Sequence, residues 1–149
     1  MRIIVDAYGG DNAPEAVLRG CRMAADQWKC EIILTGDGEK LRARAAELGV
    51  SLEGMTIAEA PDVFPMEAEP TAIMKQYKDS SMARGLQMLA EGGGEAFVSA
   101  GSTGALVVGG TLIVKRIKGV KRPAIGTVVP CKDGCFMMLD YGANHACRP

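Results

Sequence analysis

The sequence predicts an α/β fold, a three-layer α/β/α sandwich with a mostly parallel sheet and one late antiparallel hairpin. Short runs rich in Ile, Val and Thr alternate with stretches in which apolar residues recur every three or four positions. This alternation is typical of βα units, which place helices on both faces of a parallel sheet. The length of 149 residues suits a single α/β domain over 1–149.

The first sixty residues predict three strands and two helices. The strands are expected at RIIVDA, EIILTGD and MTIAEA. Pro14 suits the first turn of the first helix, with Asn12 or Ala13 as its cap. The spacing along this helix predicts a buried face made of Val17, Cys21, Ala24 and Trp28. The second helix should end at Gly49. Its predicted inward residues are Leu41, Ala45 and Leu48.

The middle of the chain predicts a loop followed by two helices. Three prolines in PDVFPMEAEP predict irregular structure. Helical spacing resumes in TAIMKQYKDSSMARGLQMLAEGGG, and we expect a break near residues 78–81 and an end at the glycines 92–94. The second of these helices is expected to bury Met82, Leu86 and Leu89.

An uncharged run of nineteen residues, AFVSAGSTGALVVGGTLIV, has the length of a membrane span. The Gly-Ser-Thr-Gly cluster inside it and the lack of an aromatic belt instead predict a buried parallel strand, a turn and an apolar helix. Farther along, CKDG separates RPAIGTVVP from CFMMLDYGAN, a spacing typical of an antiparallel hairpin.

Composition limits the classes of function. Seventeen Lys and Arg residues against eighteen Asp and Glu give a formal net charge of −1, so the chain lacks the global basic field typical of nucleic-acid-binding proteins. No secretory signal pattern opens the sequence, which predicts a cytoplasmic protein. The five cysteines therefore do not predict a disulfide framework. We expect no metal and no cofactor. The candidate zinc ligands are Cys131, Cys135, His145 and Cys147, and their spacing is not one of the standard zinc-binding patterns.

Three polar clusters follow predicted strands, at DAYGGDNAP, SAGSTGA and LDYGAN. Ligands of parallel sheets bind beyond the carboxyl ends of the strands, so we expect the clusters to meet on one rim. Glycines allow close approach, and Ser102 and Thr103 add hydroxyls, which suits a phosphate group. A tight turn with Ser102 as a helix cap explains SAGSTGA equally well, and a plain turn is the commoner explanation of DAYGGDN.

Two further clusters each have two explanations. In KDSSM, Lys78 beside two serines suits a phosphate contact, whereas Asp79 or Ser80 also suits a helix cap. The basic run KRIKGVKRP, residues 115–123, is typical of a solvated helix end, and it also suits docking of an acidic protein.

Five stretches in this order resemble the acyl-carrier-protein:phosphate acyltransferases of bacterial phospholipid synthesis, the PlsX family. They are VDAYGGDNAPEAVLRG, KDSSMARGL, VSAGSTGAL, RIKGVKRPAI and LDYGAN. The resemblance spans the whole chain and corresponds to the amino-terminal half of the family's longer fold, which is similar to isocitrate and isopropylmalate dehydrogenases. The chain departs from the family's usual residues at Tyr8, where Met is common, at Ser102, where Asn is common, and at His145, where an acidic residue is common.

The resemblance implies transfer of a long-chain fatty acyl group from acyl carrier protein to orthophosphate, in a homodimer that associates with the inner face of the membrane. Because orthophosphate is itself a nucleophile, the site needs only to hold it against the thioester and stabilise an oxyanion. The expected catalytic residues are Ser102, Thr103 and Asn144. The expected phosphate or substrate contacts are Asp6, Gly9, Gly10, Asp11, Asn12, Lys78, Ser80, Ser81, Gly101, Gly104 and Asp140. The expected contacts to acyl carrier protein are Arg116, Lys118, Lys121 and Arg122.

Alternatives remain open at this point. A phosphotransacetylase or a metal- and nicotinamide-dependent decarboxylating dehydrogenase would share the implied fold. A half-domain that binds phosphate or a partner without catalysis would also fit, because relatives are about twice as long.

Overall fold

The computed structural model describes residues 1–121 and 123–139. It divides into two compact units, the first formed by Met1–Lys115 and the second by the chain from Arg116 onward. The single domain expected over 1–149 therefore stays a prediction. Arg122 and the segment 140–149 lie outside the described residues.

A four-stranded parallel sheet organises the first unit. Its strands are β1 (Arg2–Asp6), β2 (Glu31–Gly36), β3 (Met55–Glu59) and β4 (Ala96–Val98), in the spatial order β3-β2-β1-β4. All neighbouring strands pair in parallel. β1 and β2 lie in the middle and are apolar over most of their length, as expected for strands that are covered on both faces. The predicted fold class is confirmed.

Two helices, α1 (Glu15–Trp28) and α2 (Gly38–Glu47), cover one face of this sheet. The core that they share with β1 and β2 consists of Val5, Ala7, Leu18, Cys21, Cys30, Ile32, Leu34, Leu41 and Ala45. Burial raises the pKa of the Cys21 thiol to about 11, so this cysteine is a neutral core residue, as predicted. The Asp37 carboxylate caps α2 by accepting from the Lys40 N–H at 3.1 Å.

Two predictions about α1 are wrong. Trp28 is 67% exposed, because the part of α1 that packs against the core ends at Ala24 and Ala25 and Trp28 is the last residue of the helix. Neither Asn12 nor Ala13 caps the helix. Asn12 contributes only its backbone carbonyl, which accepts from Ala16 N at 2.9 Å.

The opposite face of the sheet is covered by α3 (Ser81–Ala90). Val5 and Ala7 belong to the core beneath α1 and α2, so the alternation along β1 directs Asp6 to the other face, where it meets Ser81. The helices therefore lie on both faces, as in a three-layer sandwich. The second core cluster consists of Phe64, Ile73, Met82, Ala83, Leu86 and Ala105.

The helical segment after the proline-rich loop breaks where predicted. Its first part is a short 3₁₀ helix, Pro70–Met74, rather than an α-helix, and α3 follows from Ser81. The uncharged run forms β4, a bend and α4 (Thr103–Gly109), which continues as a π-helical turn, Gly110–Val114.

One prediction about this uncharged run needs correction. β4 was expected to be buried, but Val98 is 52% exposed because β4 lies at an edge of the four-stranded sheet. Within the described residues, none of the helices has both the length and the apolar character needed to cross a bilayer.

The second unit contains the predicted hairpin. β5 (Gly126–Cys131) pairs with β6 (Gly134–Leu139) in antiparallel fashion around a two-residue turn. Cys131 lies opposite Gly134 and Cys135 opposite Pro130, so the two exposed thiols point to opposite faces of the hairpin. This register does not let them bind one metal ion from the same face.

Tyr8 fills the space beside the end of β2. Its ring lies so close to Gly36 that a Cβ built there would come within 2.7 Å of the ring carbon Cε2. The phenol oxygen is enclosed and has no hydrogen-bond partner among the described residues. Burial, followed by the charge of Asp37, raises the Tyr8 pKa.

Replacing Tyr8 by Phe should leave the free energy of unfolding unchanged or raise it by about 1 kcal/mol, because the lost hydroxyl makes no hydrogen bond with any described residue. The matched control is Thr35→Val, which removes a buried hydroxyl that donates to the Val5 carbonyl at 3.2 Å and should lower that free energy by about 1 kcal/mol. Urea denaturation measures both. Equal losses in the two variants would contradict the unpaired state of the Tyr8 hydroxyl.

Candidate anion-binding site at the carboxyl edge of the sheet

Two glycine-rich bends meet beyond the carboxyl ends of β1 and β4. We call residues 7–14 the β1 bend and residues 99–104 the β4 bend. A Cβ built on Gly10 would lie 3.1 Å from Ala100 Cβ, and one built on Gly101 would lie 3.4 Å from Gly9 Cα. The structure thus brings together two of the three polar clusters. The third, with Asp140 and Asn144, lies outside the described residues.

A buried carboxylate joins these bends to α3. Asp6 is 2% exposed, and its Oδ1 accepts from Ser81 Oγ at 2.6 Å and from Tyr8 N at 3.2 Å. Its Oδ2 accepts from Ser99 Oγ at 2.7 Å. The two short distances are typical of hydroxyl groups that donate to a carboxylate. One side chain therefore links the ends of β1 and β4 with the beginning of α3.

Gly9 is needed for the two bends to approach each other. A Cβ at this position would lie 2.6 Å from Ser99 Oγ, 2.7 Å from Asp6 Oδ2 and 2.9 Å from Gly101 N. Gly10 has a φ of 101°, a conformation that favours glycine. The glycines of the β1 bend thus have a packing role that is independent of any ligand.

Backbone N–H groups of the β4 bend fall into two sets. The Gly101 N–H donates to Ser99 Oγ at 3.0 Å, and the Ala105 N–H donates to Ser102 Oγ at 3.4 Å. No acceptor for the N–H groups of Ser102, Thr103 and Gly104 is found among the described residues. This part of the chain therefore offers three adjacent donors at the beginning of α4.

The two hydroxyls of the β4 bend have different surroundings. Ser102 is buried and caps α4 with its side chain, which confirms the cap explanation for this residue. Thr103 is exposed, so its hydroxyl is accessible from solvent. Two of the expected catalytic residues, Ser102 and Thr103, are described by the structure. Of these two, Thr103 has the side chain that can contact a ligand without a change of conformation.

The two serines of the KDSSM segment make hydrogen bonds within the protein. Ser80 caps α3 by accepting from Ala83 N at 3.3 Å, which confirms the cap explanation, and its hydroxyl donates to Tyr77 O at 2.7 Å. The Ser81 hydroxyl donates to the Asp6 carboxylate, and both serines are buried. Lys78 is exposed. In the β1 bend, Asp11 and Asn12 are exposed as well.

Sequence reasoning did not single out Ser99 as a site residue. It follows the last residue of β4 and begins the SAGSTGA cluster, so its position at the end of a strand was the sequence signal that could have identified it.

Sequence reasoning also did not identify the pair of charged residues, Asp37 and Lys40, that follows β2. Hydrogen bonding from Lys40 lowers the pKa of the Asp37 carboxyl, and the same contact, with Lys40 Nζ 2.7 Å from Asp37 Oδ2, raises the Lys40 pKa.

An open depression of about 620 Å³ lies beside the β1 bend and includes Asn12 in its lining. Two of its other lining residues, Arg19 and Arg44, both pair with the Glu15 carboxylate, at 3.3 and 2.8 Å. Because the arginines share this acidic neighbour, the depression is not strongly positive.

The predicted basic run crosses the boundary between the two units. Lys115 ends the first unit, whereas Arg116, Lys118 and Lys121 belong to the second and are exposed. Arg116 Nη1 donates to the Lys121 carbonyl, which closes this segment into a compact turn. Arg122 lies outside the described residues.

A family model described as "Fatty acid synthesis protein" matches residues 1–149. The chain belongs to this family. Among curated relatives, a phosphate acyltransferase of Caldicellulosiruptor bescii is 45% identical over 150 residues, and that of Acetivibrio thermocellus is 44% identical. Each match covers 100% of this chain but only 45% and 44% of the relative. The chain thus spans less than half the length of the relatives it matches.

A solved structure supports the fold. The EutD phosphotransacetylase from Staphylococcus aureus superposes with a TM-score of 0.68 at 21% identity, over 97% of this chain and 47% of that protein. At this identity the likeness concerns the fold of this member of the fatty acid synthesis family and not its activity.

Replacing Gly9 by Ala should lower the free energy of unfolding by about 1–3 kcal/mol, because the methyl group would collide with Ser99, Asp6 and the backbone of Gly101. Gly20→Ala is the matched control. Gly20 lies inside α1, and apart from its chain neighbours and the backbone of its own helix no described atom lies within 4 Å of a built Cβ, so this change should raise the free energy of unfolding by about 1 kcal/mol. Thermal or urea denaturation measures both, and a tolerated Gly9→Ala change would argue against close contact between the bends.

Proposed function

We propose that this chain is the amino-terminal part of a phosphate acyltransferase. The whole protein would move a long-chain fatty acyl group from acyl carrier protein to orthophosphate, giving an acyl phosphate for phospholipid synthesis. The family match and the relatives named phosphate acyltransferase support this proposal. The observation that carries it is the set of three N–H groups at the beginning of α4 that have no acceptor among the described residues, beside the exposed Thr103.

The proposed reaction needs no covalent enzyme intermediate. An orthophosphate oxygen attacks the thioester carbonyl carbon, an oxyanion forms, and the carbon–sulfur bond then breaks. The acyl group is then bonded to phosphate, and the carrier's sulfur leaves as a thiolate that takes up, directly or through solvent, the proton that the attacking hydrogen phosphate gives up. The donors at Ser102–Gly104 would bind the phosphate or the oxyanion, and one such donor is typically worth about 3 kcal/mol in the transition state.

Roles for the remaining expected residues are also part of the proposal. Thr103 would donate its hydroxyl to the bound anion, and Lys78 would balance the charge of phosphate. Asn144 and Asp140 would complete the site from the third cluster.

Thr103→Val should raise the phosphate concentration needed for half-maximal binding or turnover by about tenfold, because one hydroxyl donor to an anion is lost while the side-chain shape is kept. Thr56→Val is the matched control, since Thr56 is an exposed strand residue on β3, where Val is well tolerated. Titration with orthophosphate measures the half-maximal phosphate concentration of both variants and of the unaltered protein. An unchanged phosphate dependence in Thr103→Val would remove Thr103 from the site.

Acyl carrier protein would dock on the exposed basic residues of the second unit. The support is their density, because Arg116, Lys118 and Lys121 lie within six positions and an acidic partner would be attracted to them.

Changing Arg116, Lys118 and Lys121 together to Glu should weaken binding of acyl carrier protein by about tenfold or more at low salt, and the difference should shrink at high salt because the charges are screened. Lys132→Glu, at the tip of the hairpin, reverses one charge outside the basic run and is the control for Lys118→Glu made alone, which changes the net charge by the same amount. Fluorescence anisotropy with a labelled carrier measures both. Equal weakening in the control would place the docking surface elsewhere.

Two alternatives are compatible with these findings. An enzyme that uses a short acyl group would have the fold that this chain shares with the phosphotransacetylase, and a half that binds phosphate without catalysis would also match the family model. Incubation of the 149-residue chain and orthophosphate with long-chain acyl carrier protein or with acetyl-CoA separates them. Acyl phosphate from the first substrate alone supports the proposal, and acetyl phosphate supports the short-chain enzyme. If neither product forms but phosphate binding is measurable, the result supports a half that binds without catalysis.

The proposal for the whole protein includes a homodimer in the cytoplasm that associates peripherally with the inner face of the membrane. This part rests on the resemblance to the phosphate acyltransferases.

A further inference from the structure

We propose that Asp6 is a positioning residue that prepares the β4 bend for the anion. Asp6 orients the Ser99 hydroxyl, which accepts a hydrogen bond from the Gly101 N–H. The ligand would then bind to the N–H groups of residues 102–104. This inference rests on the proposed function, and it gives Asp6 a role different from the direct ligand contact that the sequence suggested.

The direction of the hydrogen bonds supports this role. A carboxylate only accepts hydrogen bonds, so Ser99 must donate its single hydroxyl proton to Asp6 Oδ2, at 2.7 Å. The remaining lone pairs of Ser99 Oγ then accept from Gly101 N at 3.0 Å. Without the carboxylate, the serine hydroxyl could rotate and the first residues of the bend would lose this fixed arrangement.

Asp6 is too enclosed to touch a ligand itself. It is 2% exposed, and the backbone of Gly9 lies so close that a Cβ there would be 2.7 Å from Oδ2. All three hydrogen bonds to its carboxylate come from groups of this chain. Any effect of Asp6 on a bound anion must therefore pass through the groups that it holds.

Holding the bend before the anion arrives favours binding. If the bend were loose, binding would have to fix backbone dihedral angles, and ordering one residue corresponds to about a tenfold change in affinity. Removal of the link should therefore weaken orthophosphate binding even though no contact to the anion is deleted.

The test uses Ser99→Ala, Asp6→Asn and the control Thr35→Val in the 149-residue chain. Thr35→Val also removes a buried hydroxyl hydrogen bond beside β1, but one that donates to the Val5 carbonyl and does not reach the β4 bend. Two measurements are made on each variant, the amide hydrogen exchange rate of Gly101 and the dissociation constant for inorganic orthophosphate. Ser99→Thr keeps a hydroxyl and serves as the rescue variant.

We expect Ser99→Ala to speed exchange at Gly101 by about tenfold or more and to weaken orthophosphate binding about tenfold. Thr35→Val should change neither quantity by more than about twofold, although it loses a comparable hydrogen bond. Ser99→Thr should restore both quantities. Asp6→Asn should resemble Ser99→Ala, and if it does not fold, the serine variants and the control still decide the question.

Equal changes in Ser99→Ala and Thr35→Val would overturn the proposal, since they would indicate general loosening. Unchanged phosphate affinity in Ser99→Ala would overturn it as well. If the unaltered chain binds no orthophosphate, the proposed function fails in this chain. The Gly101 exchange rates then decide by themselves whether Asp6 and Ser99 hold the bend.

Discussion

The buried carboxylate of Asp6 is the constraint on which the carboxyl edge of the sheet depends. A carboxylate that is taken out of water costs several kcal/mol unless donors surround it, so the chain must bring donors to this point. Ser81 comes from the beginning of α3 and Ser99 from the end of β4. Satisfying one side chain therefore fixes a helix and a bend relative to β1, and the glycines at 9 and 101 allow the resulting close approach.

This arrangement shows why a turn and an anion site are compatible explanations of the same residues. Some polar groups of the β4 bend are used internally, namely the Ser102 side chain as a helix cap and the Gly101 N–H as a donor to Ser99. The N–H groups that follow have no partner in the described part of the chain because a helix always begins with unpaired donors. The internal bonds hold the bend, and under the proposed function a ligand would use the N–H groups that have no partner among the described residues.

Local sequence patterns were sufficient for most of the fold. The strands, the break before α3 and the antiparallel hairpin follow from short-range periodicity and turn residues, and each was predicted. Two of the errors concern burial, which is set by distant parts of the chain. Trp28 has helical spacing but lies past the packed part of α1, and Val98 is apolar but lies at a sheet edge. The Asp6 contact joins residues 75 and 93 positions apart, and no local pattern distinguishes it from an ordinary turn.

Under the proposed function, the described residues would serve two kinds of recognition, which differ in range and in their dependence on geometry. The β4 bend offers neutral backbone donors and one hydroxyl, whose interactions are short-ranged and depend on geometry. The basic residues at 116–121 offer charge on exposed side chains, and such interactions act over about 10 Å and weaken with salt. A bend that selects by shape needs to be held rigidly, whereas a charged surface that attracts a partner does not. Under the proposed function, this difference would account for the buried hydrogen bonds at the bend and for the solvent exposure of the basic residues.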